Sequence, residues 1–215
     1  MTLKADVFWS FRSPYSYLAT RRYVALTQEF DLKINQRFVY PLAIREPDFF
    51  EKSHPNWIGY TFRDIFRVAQ YMDIPMAPPN PDPIVQDIAT RKISDDQPHI
   101  FLLTRMGQAA ARRGKGLEFA DQVSQLIWGG VAGWNEGDHL EQAAKRAGLD
   151  LSELRKEAEA DPAGLDGEIA GNQDALEAAG HWGVPTLVFE GEPFFGQDRV
   201  EIAIWRMQQK GLKER

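Results

Sequence analysis

The stretch Val7-Phe8-Trp9-Ser10-Phe11-Arg12-Ser13-Pro14-Tyr15-Ser16-Tyr17, near the start of the chain, combines a strand pattern with a helix start. Residues 5–11 alternate around Val7, Trp9 and Phe11, which predicts a β-strand. Ser13 is a typical N-cap, and a proline at the first helical position costs no backbone hydrogen bond. The sequence therefore predicts a strand that leads into a helix ending near Glu29, with a serine at the junction.

A second short segment, Gly183-Val184-Pro185-Thr186-Leu187-Val188-Phe189, predicts a loop with a proline that enters another strand. This strand is expected over 186–190, followed by a turn and a short strand over 193–195. After Gly196 and Gln197, Asp198 is predicted to cap the last helix, with Glu201 at capping-box spacing.

Between these two segments the sequence is mainly helical. A second strand over 32–40 is stopped by Pro41, and residues 74–83 are too rich in proline for a helix or a central strand. Helices are predicted over 61–72, 97–113, 118–131, 138–147, 151–159 and 164–180. The order βαβ, helices, ββα predicts an α/β chain with a thioredoxin-like fold. Its thioredoxin-like domain comprises 1–40 and 181–215, and a large all-helical insertion domain comprises 41–180.

Composition limits the classes of function. The net charge of −6 offers no basic surface for nucleic acid, and no apolar run approaches the ~20 residues of a membrane span. The N-terminal residues lead directly into a strand without a secretory apolar region, so a cytoplasmic location is expected. The chain contains no cysteine, which excludes a disulfide oxidoreductase that uses its own thiols. The spacing of the four histidines does not suggest a metal site.

Ser13 is a candidate catalytic residue because of its position. A helix N-terminus carries unpaired N–H groups and a partial positive charge, and both stabilise an anion. If that anion is the thiolate of a bound cofactor, the serine hydroxyl can donate a hydrogen bond to it and lower its pKa. Taken alone, Ser13 is better explained as an ordinary N-cap, because Ser-Pro starts many helices.

Two further elements would complete such a site. In the thioredoxin architecture the peptide bond before the proline is cis, which would expose the backbone of Val184 to a peptide-like ligand. An ordinary trans proline that opens an edge strand is the alternative for Pro185. The turn at Gln197 and Asp198 offers N–H groups to a carboxylate and a side chain to an ammonium group, although it also suits a simple helix start.

These elements together resemble kappa-class glutathione transferases and, more closely, 2-hydroxychromene-2-carboxylate isomerases. The resemblance covers essentially the full length and is strongest over 11–19, 183–186 and 194–199, with further support from residues 60–64, Ile74-Pro75 and the helix that contains Trp128. It implies glutathione as cofactor: Ser13 activates the thiolate, Val184 next to Pro185 pairs with the cysteinyl backbone, and Gln197 and Asp198 hold the γ-glutamyl end.

The sequence departs from this family around the substrate. Arg12 replaces a small or apolar residue, residues 40–46 lack a glycine-rich segment, and Asn80 lies in a proline-rich connector that replaces a substrate-contacting segment. Arg12, Tyr15 and Asn80 are the candidate substrate residues. An arginine at position 12 favours an acidic substrate, and a solvated arginine is the alternative. Phe49, Phe50, Trp57 and Tyr60 either line an aromatic pocket above Ser13 or form the core of the insertion.

The resulting hypothesis is a cytoplasmic glutathione-dependent isomerase, expected to be a homodimer, that acts on an aromatic or enone carboxylate in aromatic catabolism. Neither a metal, a nucleic acid nor a membrane is expected as a partner. A kappa-type transferase, in which glutathione enters the product, is the nearest alternative. A non-catalytic binding module of the same fold is an alternative from another class.

Overall fold

The computed structural model describes residues 2–87 and 89–215, and its first three elements form a parallel β-α-β unit. Strand β1 (Leu3–Trp9), helix α1 (Pro14–Glu29) and strand β2 (Leu32–Phe38) follow one another along the chain. The two strands pair in parallel from Leu3 opposite Leu32 to Trp9 opposite Phe38. The strand predicted over residues 5–11 lies two residues earlier in the structure, because Phe11 is in the turn that precedes α1.

The last part of the chain completes the sheet. Strands β3 (Thr186–Phe189) and β4 (Glu192–Phe195) form an antiparallel hairpin, and β3 pairs antiparallel with β1, with Leu187 opposite Val7. The strand order is β2-β1-β3-β4. This mixed sheet confirms the predicted thioredoxin-like fold and brings the carboxyl end of β1 next to the loop that precedes β3.

The region between β2 and β3 is helical, as predicted. The helices are α2 (Leu42–Arg45), α3 (Phe49–Lys52), α4 (Pro55–Tyr71), α5 (Ile100–Arg112), α6 (Gly116–Trp128), α7 (His139–Arg146), α8 (Leu151–Ala160) and α9 (Pro162–Ala178), and α10 (Val200–Gln209) follows the sheet. The sequence prediction missed α2 and α3, and α4 begins at Pro55 rather than at the predicted position 61. The predicted division into two domains at 40 and 180 stays a prediction.

Four aromatic side chains form the core where the sheet meets the helices. Phe11 stacks on Phe38 with 5.3 Å between ring centroids, and Trp9 packs edge-on against both rings. The Phe119 ring of α6 packs edge-on against Phe11, with 6.1 Å between ring centroids. All four are fully buried, and Phe11 belongs to the turn that precedes Ser13.

The proline-rich connector is held by hydrogen bonds to its backbone. The Tyr17 hydroxyl donates to the Pro75 carbonyl at 2.6 Å, and the Trp134 indole donates to the Pro81 carbonyl at 2.7 Å. The N–H of Ala77 donates to the Trp128 carbonyl at 2.7 Å. An irregular segment is thereby fixed between α1 and the end of α6.

Within the described residues, none of the helices has the length and apolar character needed to cross a membrane. The same part of the chain contains no group of three or more histidine and acidic side chains arranged to hold a metal ion.

Candidate active site

Ser13 lies at the N-terminus of α1, and its hydroxyl joins the two ends of the sequence. The side chain caps the helix by accepting a hydrogen bond from the Ser16 N–H at 3.2 Å. The same hydroxyl donates to the carbonyl of Val184 at 3.2 Å, 171 residues along the chain. The capping role is therefore confirmed, and it accompanies a contact with the loop before β3 that an ordinary cap does not need.

The loop that meets Ser13 presents free backbone. The Val184–Pro185 peptide bond is cis, and the Pro185 carbonyl accepts a hydrogen bond from the Gly196 N–H at 2.9 Å. Among residues 2–87 and 89–215, nothing accepts a hydrogen bond from the Val184 N–H. A peptide-like ligand in extended conformation can pair with this group.

Beside this loop is a cleft with a volume of about 290 Å³. Its walls come from α1, α4, the cis-proline loop and the turn after β4. The lining residues are Tyr15, Asp64, Pro185, Phe195, Gly196, Gln197, Asp198 and Arg199. The structure thus brings four of the predicted site residues, Tyr15, Pro185, Gln197 and Asp198, to one cleft next to the Ser13–Val184 contact.

The prediction that Asp198 caps the last helix is wrong. Gln197–Arg199 form a single 3₁₀ turn, and α10 begins at Val200 without a side-chain cap. The Asp198 carboxylate is instead bonded to the guanidinium of Arg199 at 2.7 Å. It is largely exposed at the cleft.

Gly196 sets the direction of this turn. Its φ of +103° is a conformation that L-residues rarely adopt. A Cβ at this position would lie 2.6 Å from Oδ1 of Asp198. Glycine is therefore required for the chain to pass from β4 to the cleft wall.

Asp64 on α4 is a cleft residue that the analysis of the sequence did not select. The Tyr15 hydroxyl donates to Oδ2 of Asp64 at 2.7 Å. Burial and the hydrogen bond to this carboxylate raise the pKa of Tyr15 far above its usual value, so its hydroxyl remains a hydrogen-bond donor even in alkaline solution. The only sequence signal for Asp64 was its place in the segment 60–64 that supported the family resemblance.

His181 is a second residue that the sequence did not reveal. Its Nδ1 accepts a hydrogen bond from the Gly183 N–H at 2.8 Å, and its ring stacks on Phe195 with 4.0 Å between centroids. Burial lowers the pKa of His181, which favours the neutral ring that this hydrogen bond needs. His181 thereby fixes the start of the loop that carries Val184.

Arg12 and Asn80 do not line the cleft. The Arg12 guanidinium makes a bidentate pair with Asp82, at 3.1 Å and 2.9 Å. Asn80 is exposed, and its carbonyl accepts a hydrogen bond from the Gly133 N–H at 2.8 Å. Their predicted contacts with substrate stay predictions, and Arg12 already has an acidic partner within the protein.

The sheet order, the helix N-terminus opposite a cis-proline loop and the helical region define a thioredoxin-fold protein of the type with inserted helices. The model of the DSBA-like thioredoxin domain matches residues 4–203. The chain belongs to this family.

Solved structures show the same fold over nearly the whole chain. A 2-hydroxychromene-2-carboxylate isomerase superposes with a TM-score of 0.70 at 20% identity, covering 96% of this chain and 95% of that one. A probable DsbA oxidoreductase from Streptomyces coelicolor gives 0.67 at 18% identity, with 96% and 89% covered. The cytosolic disulfide reductase DsbM from Pseudomonas aeruginosa, solved with GSH, gives 0.59 at 15% identity, with 97% and 100% covered. No curated protein sequence matches this chain.

Proposed function

We propose that this protein is a glutathione-dependent isomerase that acts on an unsaturated aromatic or enone carboxylate. The observation that carries the proposal is the Ser13 hydroxyl, which bonds to Val184 at 3.2 Å beside the cleft in a chain with no cysteine. A family member without a thiol of its own needs an external thiol for sulfur chemistry. When bound, glutathione supplies a thiolate that adds reversibly to a conjugated double bond and leaves after rotation.

The residues present suit the cysteinyl part of glutathione. The unpaired N–H and the carbonyl of Val184 offer one donor and one acceptor to an extended peptide backbone. Ser13 would turn its hydroxyl from the Val184 carbonyl to the sulfur, which frees that carbonyl for the ligand N–H. The α1 N-terminus adds its partial positive charge. Both effects favour the thiolate over the thiol.

The far end of the cleft suits the γ-glutamyl group. We propose that the N–H groups of Gln197 and Asp198 bind its carboxylate and that the Asp198 side chain binds its ammonium group. Asp64 lies in the same cleft and adds a second negative charge near the ammonium position. The names of two structural neighbours, an isomerase of 2-hydroxychromene-2-carboxylate and a reductase solved with GSH, agree with this assignment.

Replacing Asp198 by alanine is expected to weaken glutathione binding by about 1–3 kcal/mol, because a hydrogen bond to a charged group is lost. Calorimetric titration with glutathione measures this change. Asp174→Ala, which removes an exposed carboxylate from α9, is the matched control. Equal losses in both variants, or none in Asp198→Ala, would remove Asp198 from the site.

Two measurements test the function itself. Calorimetry with millimolar glutathione should give a binding heat, and the absence of binding would favour a non-catalytic binding module. Mass spectrometry of a reaction mixture should then recover glutathione unchanged. A glutathione adduct as the product would instead identify a kappa-type transferase.

A homodimeric assembly and a cytoplasmic location complete the proposal. Sedimentation equilibrium of the purified chain and fractionation of cells test these two points directly.

A further inference from the structure

Four aromatic side chains outside the cleft form a partly exposed cluster, here named the aromatic platform: Phe49, Phe50, Trp57 and Trp182. Phe49 is central, with ring centroids 5.4 Å from Phe50, 5.4 Å from Trp57 and 6.0 Å from Trp182. Trp57 and Trp182 remain 38% and 46% exposed. Contiguous exposed apolar surface of this kind marks a binding site more often than an isolated exposed ring does.

The platform lies beside the Ser13–Val184 contact. Trp182 precedes Val184 by two residues, and the Arg12 guanidinium, next to Ser13, lies 5.9 Å from the centre of the Phe50 ring. Trp182 also stacks on His181, with 5.6 Å between ring centroids. His181 in turn stacks on Phe195 of the cleft wall. Aromatic contacts therefore continue from the cleft to the platform.

Two arginines at the platform have no acidic partner. Arg45 donates to the carbonyls of Tyr40 at 2.7 Å and Trp182 at 3.2 Å. Arg91 donates to the Phe50 carbonyl at 3.4 Å. In the described part of the chain, no carboxylate lies within ion-pair distance of either guanidinium.

The acidic groups near Arg45 do not pair directly with its guanidinium. Asp48 is bonded to Lys52 at 2.8 Å, and Glu46 and Glu51 are exposed to solvent. The charges of Glu46 and Glu177 act on Arg45, and Glu177 accepts a hydrogen bond from Gln173 at 2.9 Å. Arg45 itself is partly buried, and a charge-assisted bidentate bond to a carboxylate is stronger in such a setting.

We propose that the aromatic platform and Arg45 bind the second substrate, a planar aromatic carboxylate. Its ring lies against Phe49 and Trp182, and its carboxylate accepts hydrogen bonds from the Arg45 guanidinium. Arg91 adds positive charge at the Phe50 end of the platform. As a substrate site this assignment rests on the proposed function, because the platform borders the position assigned to the thiolate. As a binding site it stands on the platform and its arginines alone.

Calorimetry with 2-naphthoate and with uncharged 2-naphthamide tests the site on the full chain. Arg45→Gln is expected to weaken 2-naphthoate binding about ten- to hundredfold and to leave 2-naphthamide within about twofold. Trp182→Leu is expected to weaken both probes about three- to tenfold, because it removes aromatic stacking. Arg155→Gln, which changes an exposed arginine on α8, is the control and should change neither.

Arg91→Gln is the second variant, because Arg45 also holds the Trp182 loop. It should weaken 2-naphthoate binding about two- to fivefold without affecting 2-naphthamide binding.

Equal affinity of the wild-type chain for the two probes, or unchanged 2-naphthoate affinity in Arg45→Gln, overturns the proposal. The proposal is also overturned if the chain self-associates and if Trp182→Leu dissociates this assembly while 2-naphthoate does not. A chain that binds 2-naphthoate but not glutathione would retain this site and refute only the proposed function.

Discussion

Under the proposed function, Ser13→Ala is expected to lower turnover about ten- to hundredfold, because the bound thiolate would lose a hydrogen bond worth about 1.5–3 kcal/mol. The same loss should raise the pKa of the bound glutathione thiol by about one to two units. The thiolate then forms at higher pH, so the acidic limb of the activity profile should shift upward. Titration of the ultraviolet thiolate absorbance of the complex measures this shift directly.

Ser16→Ala is the matched control for Ser13→Ala. Ser16 is fully buried one turn further along α1, and its hydroxyl has no hydrogen-bond partner in the described chain. Ser13→Ala also removes the N-cap, at a cost of about 0.5–2 kcal/mol in the free energy of unfolding. The titration separates the two roles, because loss of a cap lowers stability without moving the thiol pKa. An unmoved titration would reduce Ser13 to a cap.

Phe38→Ala is expected to lower the free energy of unfolding by about 3–5 kcal/mol. The Phe38 ring is fully buried and stacks on Phe11 at 5.3 Å. Gly107 of α5 approaches the same ring so closely that a Cβ there would lie 2.9 Å from it. The helix backbone cannot easily move into the space that alanine would leave. Urea denaturation followed by tryptophan fluorescence measures the loss.

Phe62→Ala is the control for Phe38→Ala, because the Phe62 side chain on α4 is half exposed. Its change in unfolding free energy should stay within about 1 kcal/mol. Because Phe11, which stacks on Phe38, belongs to the turn that precedes Ser13, Phe38→Ala should also weaken the proposed binding of glutathione. Comparable losses of stability in the two variants would show that the four-ring core is not the main support of the sheet.

The site depends on both ends of the chain. Ser13 follows β1 and Val184 precedes β3, and these two strands are neighbours in the sheet. The antiparallel pairing of β1 and β3 therefore sets the distance between the helix N-terminus and the cis-proline loop. Changes that shift this register would separate Ser13 from Val184 even if every site residue were kept.

Local sequence determined much of this protein. The alternation in β1 and the Ser13–Pro14 pair predicted a strand followed by a capped helix, and the hairpin after Pro185 was also placed correctly. These features depend on residues within a few positions of each other, so propensity and capping chemistry suffice to predict them. The absence of cysteine, which directs the proposal to an external thiol, is likewise read from the sequence alone.

Other features were decided only by tertiary structure. Asp64 became a cleft residue because α4 packs beside α1 and places it against Tyr15. Asp198 lost its predicted capping role because the turn after Gly196 is a 3₁₀ turn and its carboxylate pairs with Arg199. Arg12 gained Asp82 as a partner 70 residues away. The Asp64–Tyr15 and Arg12–Asp82 contacts join distant segments, and the energies of such contacts are set by packing and burial, which local sequence patterns do not encode.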